Sequence, residues 1–153
     1  YLYIYSDQWE TEAKAVLDKL PHQVIHGDAH GENVLFSNDR ITGLVDFGDC
    51  CHNPVICELG ICHPYMMMGR DKPFEIAADI IAGYQSEKTL SHPERSVLFS
   101  LICARLAVSM CVAEQRRLID PNHPNWFGGI DLAEALLRTL SQSRKLADKT
   151  FIL

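Results

Sequence analysis

The sequence has 153 residues, enough for one compact domain with a hydrophobic core. Hydrophobic residues make up 47% of it and charged residues 22%, which is typical of soluble globular proteins. Its formal net charge of -6 argues against general nucleic-acid binding, which requires a basic surface to neutralise phosphates.

No targeting or membrane signal is predicted. The most apolar stretch, residues 97–113, is interrupted by Arg105 and two serines, so we expect no membrane span. Residues 1–5 lack a basic leader and a cleavage site, so we predict no signal peptide. No Met begins the sequence, which suggests that it was cut from a longer protein. We therefore expect a cytoplasmic protein without a membrane partner.

The first third of the chain predicts one helix and a hairpin-rich segment. Ser6 or Asp7 can cap the helix, and Pro21 ends it. A turn at residues 37–40 separates the two strands of a hairpin. The predicted helix spans residues 7–20, and the predicted strands span residues 24–25, 33–36 and 41–47.

The remaining two thirds predict helices. Pro93 is typical of the first turn of a helix, and the proline- and glycine-rich residues 120–129 predict a loop. The predicted helices span residues 54–68, 72–84, 93–119 and 131–146. A hairpin-rich front and a helical back indicate an α+β fold, mostly helical with a small β-hairpin region.

The sequence has six cysteines and no Cys-x-x-Cys pair: Cys50, Cys51, Cys57, Cys62, Cys103 and Cys111. Their apolar setting is typical of buried, reduced thiols in a cytosolic protein. The alternative is a zinc site within residues 50–63, where two histidines accompany four of the cysteines. Because the spacing matches no familiar zinc pattern, the thiol interpretation is favoured.

The most informative stretch runs from His26 to Asn33 and is followed by Asp-Phe-Gly at residues 46–48. Phosphoryl transfer to a hydroxyl needs a carboxylate that orients the hydroxyl and accepts its proton. It also needs oxygen ligands that hold Mg²⁺ against the phosphates. The spacing His-x-Asp-x₄-Asn places Asp28 at the mouth of a loop and Asn33 at its far end, and Asp46 arrives from the next hairpin. This is the order of a kinase catalytic loop and its metal-binding motif.

Each of these residues also has a plainer interpretation. Asp28 can be a loop cap, Asn33 a turn residue and Asp46 the end of a strand, but the combined pattern is rare by chance. We interpret His26 as a brace of the loop, and His30 as a substrate-side or exposed loop residue. The same run of histidines and aspartate also occurs in metallohydrolases, but no further histidines follow at suitable spacing.

These motifs resemble those of the aminoglycoside phosphotransferase and choline kinase superfamily, which shares the protein-kinase-like fold. Residues 41–49 and 58–60 are similar to the hydroxylysine kinase branch and to the kinase-like domains fused to class III aminotransferases. Residues 104–109 and 121–124 also resemble that branch. The resemblance covers nearly the whole chain and implies that residues 1–153 form a protein-kinase-like C-terminal lobe, whose β-hairpin region carries the catalytic loop.

The resemblance also implies roles for individual residues. Asp28 resembles the catalytic base, with His26 beside it as the loop brace. Asn33 and Asp46 resemble the ligands that bind Mg²⁺ and, through it, the nucleotide.

Two further residues complete the predicted site, and Arg105 is predicted to have a structural role outside it. Glu58 resembles an acidic residue that supports the catalytic loop from the next helix, although a simple helix-start charge is equally compatible with its position. Asp49, like Glu58, is predicted to support the catalytic loop. Arg105 lies among apolar residues, so we expect it to pair with an internal carboxylate rather than to bind substrate.

The implied function is an ATP- or GTP-dependent phosphotransferase that uses Mg²⁺. Its acceptor is a hydroxyl of a small amine or amino acid, such as hydroxylysine, homoserine, choline or an aminoglycoside. The family carries its glycine-rich loop and phosphate-binding lysine in an N-terminal lobe, and nothing in this sequence matches that lobe. We therefore expect the isolated chain to be inactive and to self-associate through an apolar surface near residues 33–47 and the first helix. The alternative is a non-catalytic domain that binds a ligand or partner, for example one attached to an aminotransferase.

Overall fold

The computed structural model describes residues 9–123 and 128–152. A π-helical turn, Trp9–Ala13, continues into the short helix α1, Lys14–Leu17. The strands are β1 (His22–Ile25), β2 (Val34–Ser37), β3 (Arg40–Leu44) and β4 (Cys51–Pro54). The longer helices are α2 (Ile56–Met67), α3 (Pro73–Glu87), α4 (His92–Ile119), α5 (Ile130–Gln142) and α6 (Arg144–Phe151). The described chain is thus mostly helical with a small strand region, which is compatible with a kinase-like fold.

The strands form two separate antiparallel pairs. The hairpin of β2 and β3 was predicted, and it turns at Asn38 and Asp39, which both have positive φ as in a two-residue hairpin turn. Strand β4 was missed, because Cys51–Pro54 contains no β-branched or aromatic residue. It pairs with β1, which precedes it by about thirty residues, so only the tertiary structure makes it a strand. The predicted helix at residues 54–68 accordingly begins later, at Ile56.

The hydrophobic core lies among the helices and centres on α4, which packs against α2, α5, α6 and the π-helical turn. Helix α4 begins with a capping box. The Ser91 hydroxyl accepts from the Glu94 N–H, and the Glu94 carboxylate accepts from the Ser91 N–H at 2.8 Å. The predicted first helix also packs as expected, with Ala13, Leu17 and Leu20 buried. Its proposed caps, Ser6 and Asp7, lie outside the described residues.

The predicted single helix at residues 131–146 is wrong, because Ser143 separates α5 from α6. The break redirects the chain so that Arg144 reaches Glu12 in the π-helical turn, with 3.1 Å between Nη2 and Oε2. It also places Phe151 in the core, where its side chain is fully buried. A helix that continued straight through Ser143 would not bring Arg144 to Glu12 and also place Phe151 in the core.

The cysteines are free, and only one of the six is buried. Cys103 is buried in α4, Cys57 and Cys62 are half-buried, and Cys50, Cys51 and Cys111 are exposed. The expectation of buried thiols is wrong for the exposed three, because Cys51 begins the two-stranded sheet of β1 and β4, Cys50 directly precedes it, and Cys111 lies on the exposed side of α4. Among the described residues, no three His, Cys, Asp or Glu side chains are arranged to hold a metal ion, so nothing in that part of the structure supports the zinc alternative.

Within the described ranges, α4 is the one helix that is long and apolar enough to cross a membrane. Its most apolar window has a mean hydropathy of 2.0, and half of that window is buried inside the fold. The expectation that no apolar stretch is long enough to cross a membrane is therefore wrong, because the helix extends beyond residues 97–113 at both ends. Core helices of soluble proteins meet the same criterion.

Helices α2 and α4 approach most closely at Gly60, which gives a test of their packing. A Cβ at Gly60 would lie 2.7 Å from the Leu101 Cβ. We expect Gly60→Ala to lower the free energy of unfolding by about 1–3 kcal/mol through overpacking. Gly83→Ala in α3, where no atom lies within 4 Å of the added Cβ, should raise it by about 0.5–1 kcal/mol through helix propensity. Urea unfolding of both variants measures this, and a Gly60→Ala protein as stable as wild type contradicts the close approach.

His63 gives the fold a predicted pH dependence. Its side chain is fully buried in α2, and its Nδ1 donates to the Leu59 carbonyl at 2.6 Å. Its Nε2 has no hydrogen-bond partner among the described residues. Burial therefore lowers the pKa of His63 from 6.5 to about 4.

The unfolded chain takes up this proton near pH 6.5, whereas the folded chain takes it up only near pH 4. The contribution of His63 to stability should thus be complete above pH 6.5 and be lost as the pH falls towards 4, by about 3 kcal/mol. His63→Leu cannot titrate, so its free energy of unfolding should fall less over the same interval. Urea unfolding at several pH values compares the two, and parallel curves would disprove the assignment.

Candidate active site

The loop between β1 and β2 carries Asp28 and is supported by a carboxylate of α2. Oε2 of Glu58 accepts from the backbone N–H of His26 at 2.6 Å and from that of Gly27 at 3.3 Å. Glu58 lies in the first turn of α2, so it is both a helix-start charge and a support of the loop. Its Oε1 is buried without a hydrogen-bond partner in the described part of the chain.

His26 joins the start of the loop to the end of β3. Its Nε2 lies 3.0 Å from the Val45 carbonyl, which can only accept, so Nε2 carries the proton. Its Nδ1 accepts from the backbone N–H of Asp28 at 3.4 Å. Both ring nitrogens are thus bound to backbone, and the side chain is buried against Phe47 with 4.9 Å between ring centroids. The geometry suits a brace and leaves no nitrogen free for proton transfer.

Gly27 lets the short helical turn after Asp46 approach this loop. It has a φ of +81°, and any Cβ here would collide with the backbone carbonyl of Asp49. The Asp49 backbone therefore packs against the loop, and its side chain lies at the pocket described below. Asp49, which was predicted to support the site, thus contacts Gly27 of the loop through its backbone and also lines the pocket.

The carboxylate of Asp28 is held at both oxygens. Oδ2 accepts from Nε2 of His30 and from Nδ2 of Asn33, each at 3.2 Å. The His30 tautomer follows from its other nitrogen, since Nδ1 accepts from the Glu32 N–H and leaves the proton on Nε2. Oδ1 accepts from Nη2 of Arg105 at 2.9 Å. The internal carboxylate expected to pair with Arg105 is therefore Asp28 itself.

Asn33 and Asp46 offer the donor set that a magnesium ion prefers. The Asn33 amide nitrogen faces Asp28, donating to its carbonyl and carboxylate, so the amide oxygen lies on the other side as a possible metal ligand. Val45 donates to the Asn33 carbonyl at 3.0 Å, which brings Asp46 next to the loop. Asp46 has the left-handed conformation, φ 63°, that is uncommon for a residue other than glycine and frequent at functional sites. These hard oxygen donors fit Mg²⁺.

Asp28 also lines a pocket of about 460 Å³. Acidic side chains, Glu32 and Asp49, lie at its loop side, and residues of α2, α4 and α5 form its other walls. Asn33 and Asp46 are not among the residues that line it. Of the three residues of the predicted motif, Asp28 and Asn33 are in contact, and Asp28 alone lines this pocket.

Two residues at the site were not assigned to it from the sequence. Tyr65 of α2 stacks on His30 with 4.6 Å between ring centroids, and its hydroxyl accepts from Arg105 at 2.8 Å. The other residue is Arg105. Its charge within the apolar α4 indicated an internal ion pair, but its partner, Asp28, is 77 positions away and cannot be identified by spacing. Nothing in the sequence signals Tyr65.

Comparison with known proteins places these features in a family. Residues 5–96 match the profile of APH, described as the phosphotransferase enzyme family. The hydroxylysine kinase of Mus musculus is 31% identical over 110 residues, which are 64% of this chain and 29% of that protein. The homoserine kinase of Gluconobacter oxydans is 37% identical over 84 residues, which are 54% of this chain and 27% of that protein.

A longer match is found with the hydroxylysine kinase of Xenopus laevis, 27% identical over 138 residues, or 78% of this chain and 37% of that protein. The chain thus spans about a third of the length of the curated relatives that it matches. The family profile covers more than half of the chain and includes the whole of the loop, the hairpin and helix α2. The chain therefore belongs to the APH family of phosphotransferases.

Proposed function

We propose that this chain is the catalytic lobe of a phosphotransferase that uses ATP or GTP with Mg²⁺ and acts on a hydroxyl of a small amine or amino acid. One observation carries the proposal: the Asp28 carboxylate is fixed at the wall of an open pocket and contacts Asn33, beside Asp46. The relatives named hydroxylysine kinase and homoserine kinase support an amino-acid hydroxyl as the acceptor. Choline-like and aminoglycoside-like acceptors belong to the same proposal.

In the proposed reaction, the acceptor hydroxyl lies in the pocket and donates a hydrogen bond to Asp28. Its oxygen forms a bond to the γ-phosphorus as the bond from that phosphorus to the β-phosphate oxygen breaks, and the hydroxyl proton passes to the carboxylate. The nucleoside diphosphate then leaves. Asn33 and Asp46 would hold Mg²⁺, which when bound neutralises charge on the phosphates. Two carboxylates of the pocket, Glu32 and Asp49, are suited to an ammonium group of the acceptor, and Arg116 at the same pocket is suited to a carboxylate.

A second candidate, a domain that binds a partner without catalysis, is favoured by the exposed apolar side chains around the hairpin. Phe36, Ile41 and Phe47 are 60–67% exposed, and contiguous apolar surfaces of this kind mark interaction sites. Self-association through this surface stays a prediction, as does a cytoplasmic location. Turnover that depends on Asp28 separates the two candidates.

We expect Asp28→Asn to lower kcat by about 10²–10⁴-fold, because the amide cannot accept the hydroxyl proton. Nucleotide affinity should stay close to that of wild type, since Asn33 and Asp46 are unchanged. The assay uses the complete natural protein that contains these residues, with Mg²⁺, ATP or GTP, and a panel of hydroxylysine, homoserine, choline and an aminoglycoside.

The matched control is Asp39→Asn at the exposed hairpin turn, where Asn tolerates the positive φ. It removes the same charge away from the loop and should leave turnover unchanged. Chelation of the metal should abolish turnover in wild type. Equal turnover of the Asp28→Asn and wild-type proteins would refute the assignment of the base, and a folded wild-type protein that phosphorylates no member of the panel would favour the binding domain.

A further inference from the structure

We propose that Arg105, supported by Tyr65, is a positioning residue that orients the Asp28 carboxylate towards the acceptor hydroxyl. The inference rests on the proposed function, since it concerns the same carboxylate. Arg105 lies in the middle of α4, and both it and Asp28 line the pocket. The pair is mostly shielded from water, with side-chain exposures of 28% for Arg105 and 21% for Asp28. A shielded pair of this kind holds its geometry better than a surface pair.

The backbone of the loop is held without Arg105. Glu58 accepts from the first two loop N–H groups, and the His26 ring accepts from the Asp28 N–H. The Asn33 amide donates to the Asp28 carbonyl at 2.9 Å. The hydrogen bond from Arg105 to the loop is made to the side chain of Asp28. Removing Arg105 should therefore change where the carboxylate points more than how the loop folds.

The hydrogen bonds also determine which oxygen of Asp28 receives the acceptor. A carboxylate offers about four lone-pair positions, two on each oxygen. Both positions of Oδ2 are taken, by His30 and Asn33. Arg105 takes one position of Oδ1, so the other position of Oδ1 is left for the acceptor hydroxyl. The hydroxyl must then bind at Oδ1, the oxygen that Arg105 contacts, and both Asp28 and Arg105 line the pocket.

Tyr65 contacts two of the residues that donate to the Asp28 carboxylate. One contact is with His30, whose ring stacks on the tyrosine ring. The other is with Arg105, whose Nη2 donates to the tyrosine hydroxyl at 2.8 Å while its guanidinium carbon lies 5.5 Å from the ring centroid. The same Nη2 donates to Asp28, so both of its N–H groups are used. Tyr65 thereby fixes the donors of both carboxylate oxygens relative to each other.

The test compares wild type with Arg105→Met, Arg105→Lys and Tyr65→Phe in the complete natural protein. We expect Arg105→Met to lower kcat by about 10²-fold, as for a catalytic group misplaced by about 1 Å, with the nucleotide KM within about twofold of wild type. Arg105→Lys should recover only part of kcat, because a compact ammonium does not replace the planar guanidinium that lies over the Tyr65 ring. Tyr65→Phe should cause a smaller loss than Arg105→Met. A fourth variant, Arg105→Ala, leaves space for a small molecule, and millimolar guanidinium should restore part of its turnover, which a merely structural role would not allow.

Arg117→Gln is the matched control, since Arg117 is an exposed arginine of the same helix outside the pocket lining. It should leave kcat unchanged. Arg105→Met with wild-type kcat, or with a loss confined to the nucleotide KM, overturns the inference while leaving the proposed function intact.

A second readout does not depend on turnover. Crystal structures of wild type and Arg105→Met should show the Asp28 carboxylate rotated away from its wild-type position, with the backbone of residues 26–33 unchanged. If the carboxylate keeps its orientation in the variant, the inference is wrong even if the wild-type protein phosphorylates none of the tested acceptors. If the wild type is inactive but the carboxylate rotates, the positioning by Arg105 stands and the proposed function fails.

Discussion

A single carboxylate oxygen of Glu58 joins the helical body to the loop on which the site is built. Two consecutive backbone N–H groups, those of His26 and Gly27, point at it, and neither is part of a strand or helix ladder. Losing it would leave two part-buried donors without this partner, at a cost of up to about 1–3 kcal/mol for each donor that water cannot reach. This constraint holds the start of the loop against α2, and Arg105 and Asn33 hold Asp28 itself.

From that anchor the site is assembled by short, local steps. The His26 ring donates to the Val45 carbonyl, which joins the loop to the end of β3. The Asn33 amide donates to the Asp28 carbonyl, which joins the two ends of the loop. Asp46 is brought beside the loop by the hairpin, through the contact between Val45 and Asn33. Most of these groups lie within about 25 residues of one another, so their chemistry is concentrated in one segment of the sequence.

This concentration explains what sequence reasoning predicted and what it did not. Motif spacing and turn chemistry are local, so the hairpin was predicted correctly and the contact between Asp28 and Asn33 follows from the motif. Strand β4 and the break at Ser143 were missed, because each depends on a distant partner, β1 for the strand and Glu12 for the break. The same limit applies to Arg105, whose charge was noticeable but whose partner was not, and to Tyr65, whose contacts are entirely tertiary.

The break between α5 and α6 has a consequence for how the chain reaches its folded state. The Glu12–Arg144 ion pair closes a loop of 132 residues, and Phe151 fills the core beneath the same region. Contacts this far apart in sequence form late, because the chain must lose the entropy of closing the loop before they return any stabilisation. During synthesis, the Glu12 carboxylate therefore waits for Arg144 to leave the ribosome, although the loop with Asp28 has emerged long before.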